Sequence, residues 1–198
     1  FSRPVCYTDR NEGGVGALMS ATNSFTRAGK LWLVENDLRT CLCLRDDDLY
    51  DWVPKIGSIE KLVQVYRREF SQMLIFNLGC WYMDLLSRGW QYHPDIWEEI
   101  SNLESKYSEL SSRISLKDPD VAVIVDEKAM SYIAHAEALG INLIYNQRLA
   151  FYRAGVTFGF YNSSDFENSK INSKLIVYLN PFNIDKEQCE KIQQKMST

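Results

Sequence analysis

The sequence predicts an α/β fold, and three observations carry that expectation. Short apolar runs such as LWLV (31–34) and VAVIV (121–125) are near-continuous, as in parallel-sheet strands buried on both faces. Stretches with helical apolar spacing alternate with these runs, the order of a parallel sheet with helical crossovers. With 198 residues and 45% hydrophobic side chains, the chain has enough apolar material for a sizeable core in one or two domains.

Taken in order, the chain opens with a Gly-rich loop at 11–16, a short helix from about Ser20 to Ala28, and a strand over 31–36. A long loop then runs to Gly57. Ser58, followed by Glu60 and by Leu62, Val63, Val65, Tyr66 and Phe70, starts an amphipathic helix. The run Met73 to Leu78 is predicted as the next strand, and an aromatic loop follows through Trp90. Pro94 and Asp95 open a helix with Ile96, Trp97, Ile100 and Leu103 on one face. Residues 104–120, ESKYSELSSRISLKDPD, are polar and serine-rich and close with a Pro between two aspartates. A domain boundary is placed there, near 116, dividing the chain into 1–115 and 116–198. All five tryptophans precede it.

After the boundary, VAVIVDE is a buried strand, Ile141 to Ala154 a helix ended by Gly155, and VTFGFY a second strand. Residues 162–173 read as a polar loop, KLIVYLN as a third strand, and DKEQCEKIQQKM as a helix with Asp185 at its N-cap and Glu187 in its first turn. This order, β, α, β, β, α, is that of the start of a flavodoxin-like or glutamine-amidotransferase-like layer sandwich.

Composition excludes several function classes. The net charge of −4 is mild and no basic tract clusters, which argues against nucleic acid or a membrane surface as partner. No apolar run approaches the roughly 18 residues of a membrane span, and the first residues do not resemble a signal peptide. A small neutral or mixed-charge ligand fits better. The start at Phe1, without Met, leads us to expect a fragment or a processed product, so localisation is left open between cytoplasmic and secreted. Cys6, Cys41, Cys43, Cys80 and Cys189 match no disulfide scaffold and read as reduced structural thiols. Cys41 and Cys43 would need further ligands to hold a metal, and His93 and His135 stand far off in sequence, so no metal is expected. No cofactor is expected either: Gly13, Gly14 and Gly16 lack the Lys and Ser/Thr of a phosphate loop, and KAMSYIAHAEALG after VAVIVDE offers no phosphate cradle. Cys189, the only Cys after the boundary, lies in mid-helix and not on a strand-to-helix elbow, so amidotransferase chemistry is not supported.

The segment LWLVENDLRT (31–40) is the most suggestive of a site. It delivers Glu35, Asp37 and Arg39 at alternate positions onto the polar end of an apolar strand, the end that lines the active-site mouth in α/β barrels. A guanidinium beside Glu35 would hold its carboxyl ionised, with Asp37 orienting that Arg or a ligand hydroxyl. Against this stand a plain Asp37–Arg39 salt bridge at the start of a loop and an ordinary solvated Glu35. In GCWYMDLLSRGW, Trp81 offers a stacking face for a sugar ring and Asp84 an acceptor for its hydroxyls. The alternatives are rim packing by Trp81, Tyr82 and Trp90, and Asp84 capping the following turn. Arg10, with Tyr7 and Asp9 in PVCYTDR, is a weaker candidate on the same side.

With GGVGALMSATNSFTRAGK before it and LIFNLGCWYMDLLSRGW after it, LWLVENDLRT resembles the last part of the catalytic barrel of the glycoside hydrolase family 42 β-galactosidases. The residues after about 120 are similar to the start of the trimerisation domain that follows the barrel in that family. The resemblance implies the C-terminal portion of a (β/α)8 barrel followed by a partial flavodoxin-like domain. It further implies Glu35 as the nucleophile at the tip of the seventh strand, with the acid/base carboxyl encoded before Phe1. Trp81 and Asp84 would then serve the eighth strand's sugar platform, Arg10 the loop after the sixth, and Asp37 and Arg39 would be the nucleophile's neighbours. The expected partners are a carbohydrate substrate and further copies of the chain, by analogy a trimer. Asn36 within VEND and Cys41 and Cys43 after the RT pair depart from the family, which leaves the sugar open.

Overall fold

The computed structural model describes residues 1–43, 55–114, 117–134, 137–168 and 170–196; most of the loop expected before Gly57, the boundary placed near 116, and His135 lie outside them. The chain is α/β, with two small parallel sheets, each in its own compact unit. The first unit comprises Phe1–Met19 and Gly29–Leu116, the second Ser20–Ala28 and Lys117–Thr198.

The first unit holds three parallel strands, β1 (Ser2–Pro4), β2 (Leu33–Asn36) and β3 (Gly79–Tyr82), side by side in that order. Between β1 and β2 in the chain lies α1 (Thr22–Arg27), which belongs to the second unit. Pro4, Glu35 and Trp81 share one register row across the sheet, so they face the same side. Val34 and Asn36 point the other way and are buried. On that face the ring of Tyr82, level with Asn36, meets Tyr66 of α2 (Ile59–Phe76), and α3 (Pro94–Leu110) packs against α2.

Helix α2 starts where expected, the Ser58 Oγ accepting from the Lys61 backbone N–H at 3.2 Å. Leu62, Val65, Tyr66 and Phe70 are buried along it, and the Tyr66 ring lies 5.2 Å from that of Tyr82. Its end differs from expectation. Met73 to Leu78 is the last turn of α2 and its stop, with Asn77 left-handed (φ 55) and the Leu78 N–H returning to Met73 O at 2.8 Å. An apolar run this short has no period that separates strand from buried helix, and Asn77 was the deciding signal. The strand itself follows, at Gly79–Tyr82. β1 carries no sequence signal either, being three residues that include an Arg and a Pro. On α3, His93 Nδ1 accepts from Asp95 N at 3.3 Å and Pro94 opens the first turn. Ile96 and Leu103 are buried as expected, but Trp97 points to solvent and Glu99 takes the inner position. Arg67 meets Glu99 with two bonds of 2.7 and 2.9 Å, tying α2 to α3, and holds the Glu99 carboxyl below its ordinary range.

The second unit contains β4 (Val121–Val125), α4 (Glu137–Gly140), α5 (Asn146–Arg153), β5 (Phe158–Asn162), α6 (Ser163–Asn168), β6 (Leu175–Tyr178) and α7 (Lys186–Met196). A wider, five-residue π-helical stretch, Ile141–Tyr145, joins α4 to α5, so the helix expected over 141–154 is part of one continuous helical run that starts earlier. All strands are parallel in the order β5-β4-β6. Ala122, Ile124, Tyr161 and Phe166 form the core on one face, and Val121, Val123 and Phe160 that on the other. Helix α6 replaces part of the expected polar loop. The Glu127 carboxylate accepts from Ser163 N at 3.0 Å and from the Ser164 hydroxyl, Ser163 donates to Glu167 at 2.8 Å, and Phe166 is fully buried. Asp185 accepts from Gln188 N at 2.9 Å ahead of α7, as its predicted N-cap role requires. The side chains of α1 serve β5: Asn23 Oδ1 accepts from Phe160 N and Ser24 Oγ from Asn162 N, both at 2.9 Å.

Candidate active site

Because β1, β2 and β3 run parallel, the segments that leave their C-terminal ends emerge together. They enclose a cavity of about 230 Å³ in the first unit. Tyr7 and Arg10 come from the segment after β1, Glu35, Asp37 and Arg39 from β2 and its continuation, and Met83, Leu85 and Trp90 from the segment after β3.

Each contributor is held by its own element. Met83 N donates to Asn36 O at 2.9 Å, extending the β2–β3 pairing by one residue. The Thr40 hydroxyl donates to Trp90 O at 2.5 Å and accepts from Leu42 N at 3.2 Å, which fixes both the end of the β2 segment and the buried Trp90. Arg10 is buried, its guanidinium donating to the Asp37 carboxylate and, at 3.2 Å, to Asp37 O, with its Cζ 4.4 Å from the centre of the Tyr7 ring. Arg39 is buried beside them, its backbone O accepting from Ile56 N at 2.9 Å.

The electrostatics differ from expectation. Asp37 pairs with Arg10, which ties together the segments that follow β1 and β2. Glu35 is lifted above its ordinary value of 4.5, first by burial and next by the neighbouring Asp37 charge, with Arg10 pulling the other way. A guanidinium does act on Glu35, but it is the one from the β1 segment, and it is outweighed. Tyr7 is pushed up to about 12 by burial and by Asp37.

Four of the six residues singled out from the sequence, Arg10, Glu35, Asp37 and Arg39, thus share one cavity. Trp81 and Asp84 are not among its lining residues. Trp81 sits level with Glu35 one strand away, 38% exposed, its Nε1 donating to Ser2 Oγ at 2.8 Å. The Asp84 carboxylate accepts from the backbone of Arg88 (3.1 Å), Gly89 (2.7 Å) and Trp90 (3.2 Å), so it closes the turn that delivers Trp90. The aromatic walls are Tyr7 and Trp90. Met83 and Leu85 carry no advance signal, because their place depends on where β3 begins. Among the described residues, no three His, Cys, Asp or Glu side chains gather as a metal site would require, and no helix is long and apolar enough to cross a membrane. Compared with family models, with curated proteins and with solved structures, the chain finds no match in any of the three.

Proposed function

We propose that the first unit contributes the last strands of a barrel-type retaining glycoside hydrolase acting on terminal β-linked sugars, with Glu35 as its nucleophile. The observation that carries this reading is the position of Glu35. It stands at the C-terminal end of a parallel strand, in a cavity shared with an Arg10–Asp37 pair and two aromatic rings. In such a reaction the Glu35 carboxylate attacks the anomeric carbon as the glycosidic bond breaks, and a second carboxyl gives its proton to the leaving oxygen. Water then cleaves the glycosyl ester, with that second group removing the proton. Asp37 is engaged by Arg10, so the acid/base group comes, on this reading, from strands encoded ahead of residue 1, and these 198 residues do not turn over alone. The second unit's strand order, with its first strand in the centre, is the one with which flavodoxin-like sheets begin; its assembly role, in a trimer, is assigned by analogy with the family that the sequence resembles.

The engagement of Asp37 also favours a second reading, a carbohydrate-binding or oligomerisation module derived from such an enzyme. Trapping the full-length protein with a 2-deoxy-2-fluoro glycoside separates the two. Label on the peptide containing Glu35 is the expected result; turnover with label elsewhere removes Glu35 from the role, and binding with neither label nor turnover selects the module.

A further inference from the structure

The loop that presents Arg10 is fastened from behind by α2. Arg68, midway along that helix, donates from Nη1 to Asn11 O (2.9 Å) and Gly14 O (2.8 Å), and from Nη2 to Arg10 O (2.6 Å). The same Nη2 meets the carboxylate of Glu69, which is 2% exposed, at 2.5 Å. One turn on, Gln72 Nε2 donates to Val15 O. Four loop carbonyls are therefore received by two side chains of a single helix. The loop also closes on itself, Gly16 N donating to Asp9 O at 2.7 Å. Gly16 is left-handed (φ +58), and a Cβ there would strike the Arg68 and Glu69 side chains, so the loop passes against this cluster with no room to spare. Arg68 itself does not line the cavity, yet it bonds the backbone oxygen of the residue whose guanidinium sits on Asp37.

We propose that Arg68 is a positioning residue: through the carbonyls of Arg10, Asn11 and Gly14 it sets the Arg10 guanidinium against Asp37 and thereby the charge felt by Glu35. The functional weight of this arrangement rests on the reading of Glu35 as the reacting carboxylate. A guanidinium is needed because its planar fork directs separate N–H groups at three oxygens at fixed angles, which the single ammonium of Lys cannot do. Arg67, the neighbouring residue, points away to Glu99 and provides a matched control on the same helix.

The test follows the Glu35 carboxyl in the full chain by NMR, with ¹³C-carboxyl glutamate and the resonance assigned by its loss in Glu35→Gln. Arg10 is the cation that lowers the Glu35 midpoint, so releasing it lets the midpoint climb. Arg68→Lys is expected to raise it by a few tenths of a pH unit to about one unit. Gln72→Met, which removes only the Val15 contact, should give a smaller shift in the same direction, and Arg67→Lys should lower stability without moving Glu35. If Arg68→Lys does not fold, Gln72→Met alone decides. A folded variant with an unmoved Glu35, or an equal shift in Arg67→Lys, overturns the proposal. The measurement needs no turnover, so absence of glycosyl label in the wild type would retire the hydrolase reading without touching this one.

Discussion

Glu35 and Glu69 are both lifted carboxyls, and they answer different questions. Glu35 lies in the cavity, where burial and Asp37 favour its neutral form. Removing its charge should therefore relieve a small penalty at neutral pH, so Glu35→Gln is expected to change unfolding free energy by no more than about 0.5 kcal/mol, on the stabilising side; on the proposed role of Glu35 as nucleophile, the same change abolishes turnover by the full-length protein. Chemical denaturation alongside the glycoside assay checks both halves; a large loss of stability would mark Glu35 as structural. Because an attacking carboxylate must be ionised, the proposed role of Glu35 requires the acidic limb of the full-length protein's rate profile to fall above the ordinary carboxylate range. Glu69 is buried under Arg68 and pushed up to about 7, against an ordinary value of 4.5. Between those two values the unfolded chain has released this proton and the folded chain has kept it, so the Glu69 contribution to stability falls as pH rises from about 4.5 to 7 and is level beyond. The stability difference between wild type and Glu69→Gln should decline across that window by on the order of 3 kcal/mol. A difference independent of pH would show that Arg68 keeps Glu69 ionised throughout.

At the scale of elements, the legible features were those with their own local chemistry. Ser58 announces α2, Pro94 announces α3, and the charged tip of LWLVENDLRT places Glu35 at the end of a strand with Asp37 and Arg39 just past it. Ser58→Ala should cost about 1 kcal/mol and speed amide exchange in the first turn of α2, with the rest of the unit unaffected. What could not be read was set by partners distant in the chain. The apolar run before Leu78 fits a helix end as well as a strand, and only Asn77 in its left-handed conformation distinguishes them. The helix over 163–168 depends on Glu127, which lies more than thirty residues earlier. Arg10 was recognisable as a candidate, but its pairing with Asp37 joins segments 27 residues apart, which local spacing does not show. Likewise Asp84 looked available for a ligand until the backbone amides of 88–90 closed upon it.

For the molecule as a whole, the feature with the widest reach is α1, which the chain order places between two strands of the first sheet and the fold assigns to the second unit. Asn23 and Ser24 cover amides on the outer edge of β5, so Asn23→Ala and Ser24→Ala should each cost about 1 to 2 kcal/mol and accelerate exchange at Phe160 and Asn162 specifically. Exchange that rises only near β1 and β2 would contradict this assignment. A fragment cut near residue 116 would take the later strands without their edge cover. On the ribosome the same arrangement imposes an order of events: residues 20–28 leave the exit tunnel well before Phe160 and Asn162 are made. At ordinary elongation speeds that helix waits roughly ten seconds for its partners, so the second unit cannot finish before Asn162 has been made.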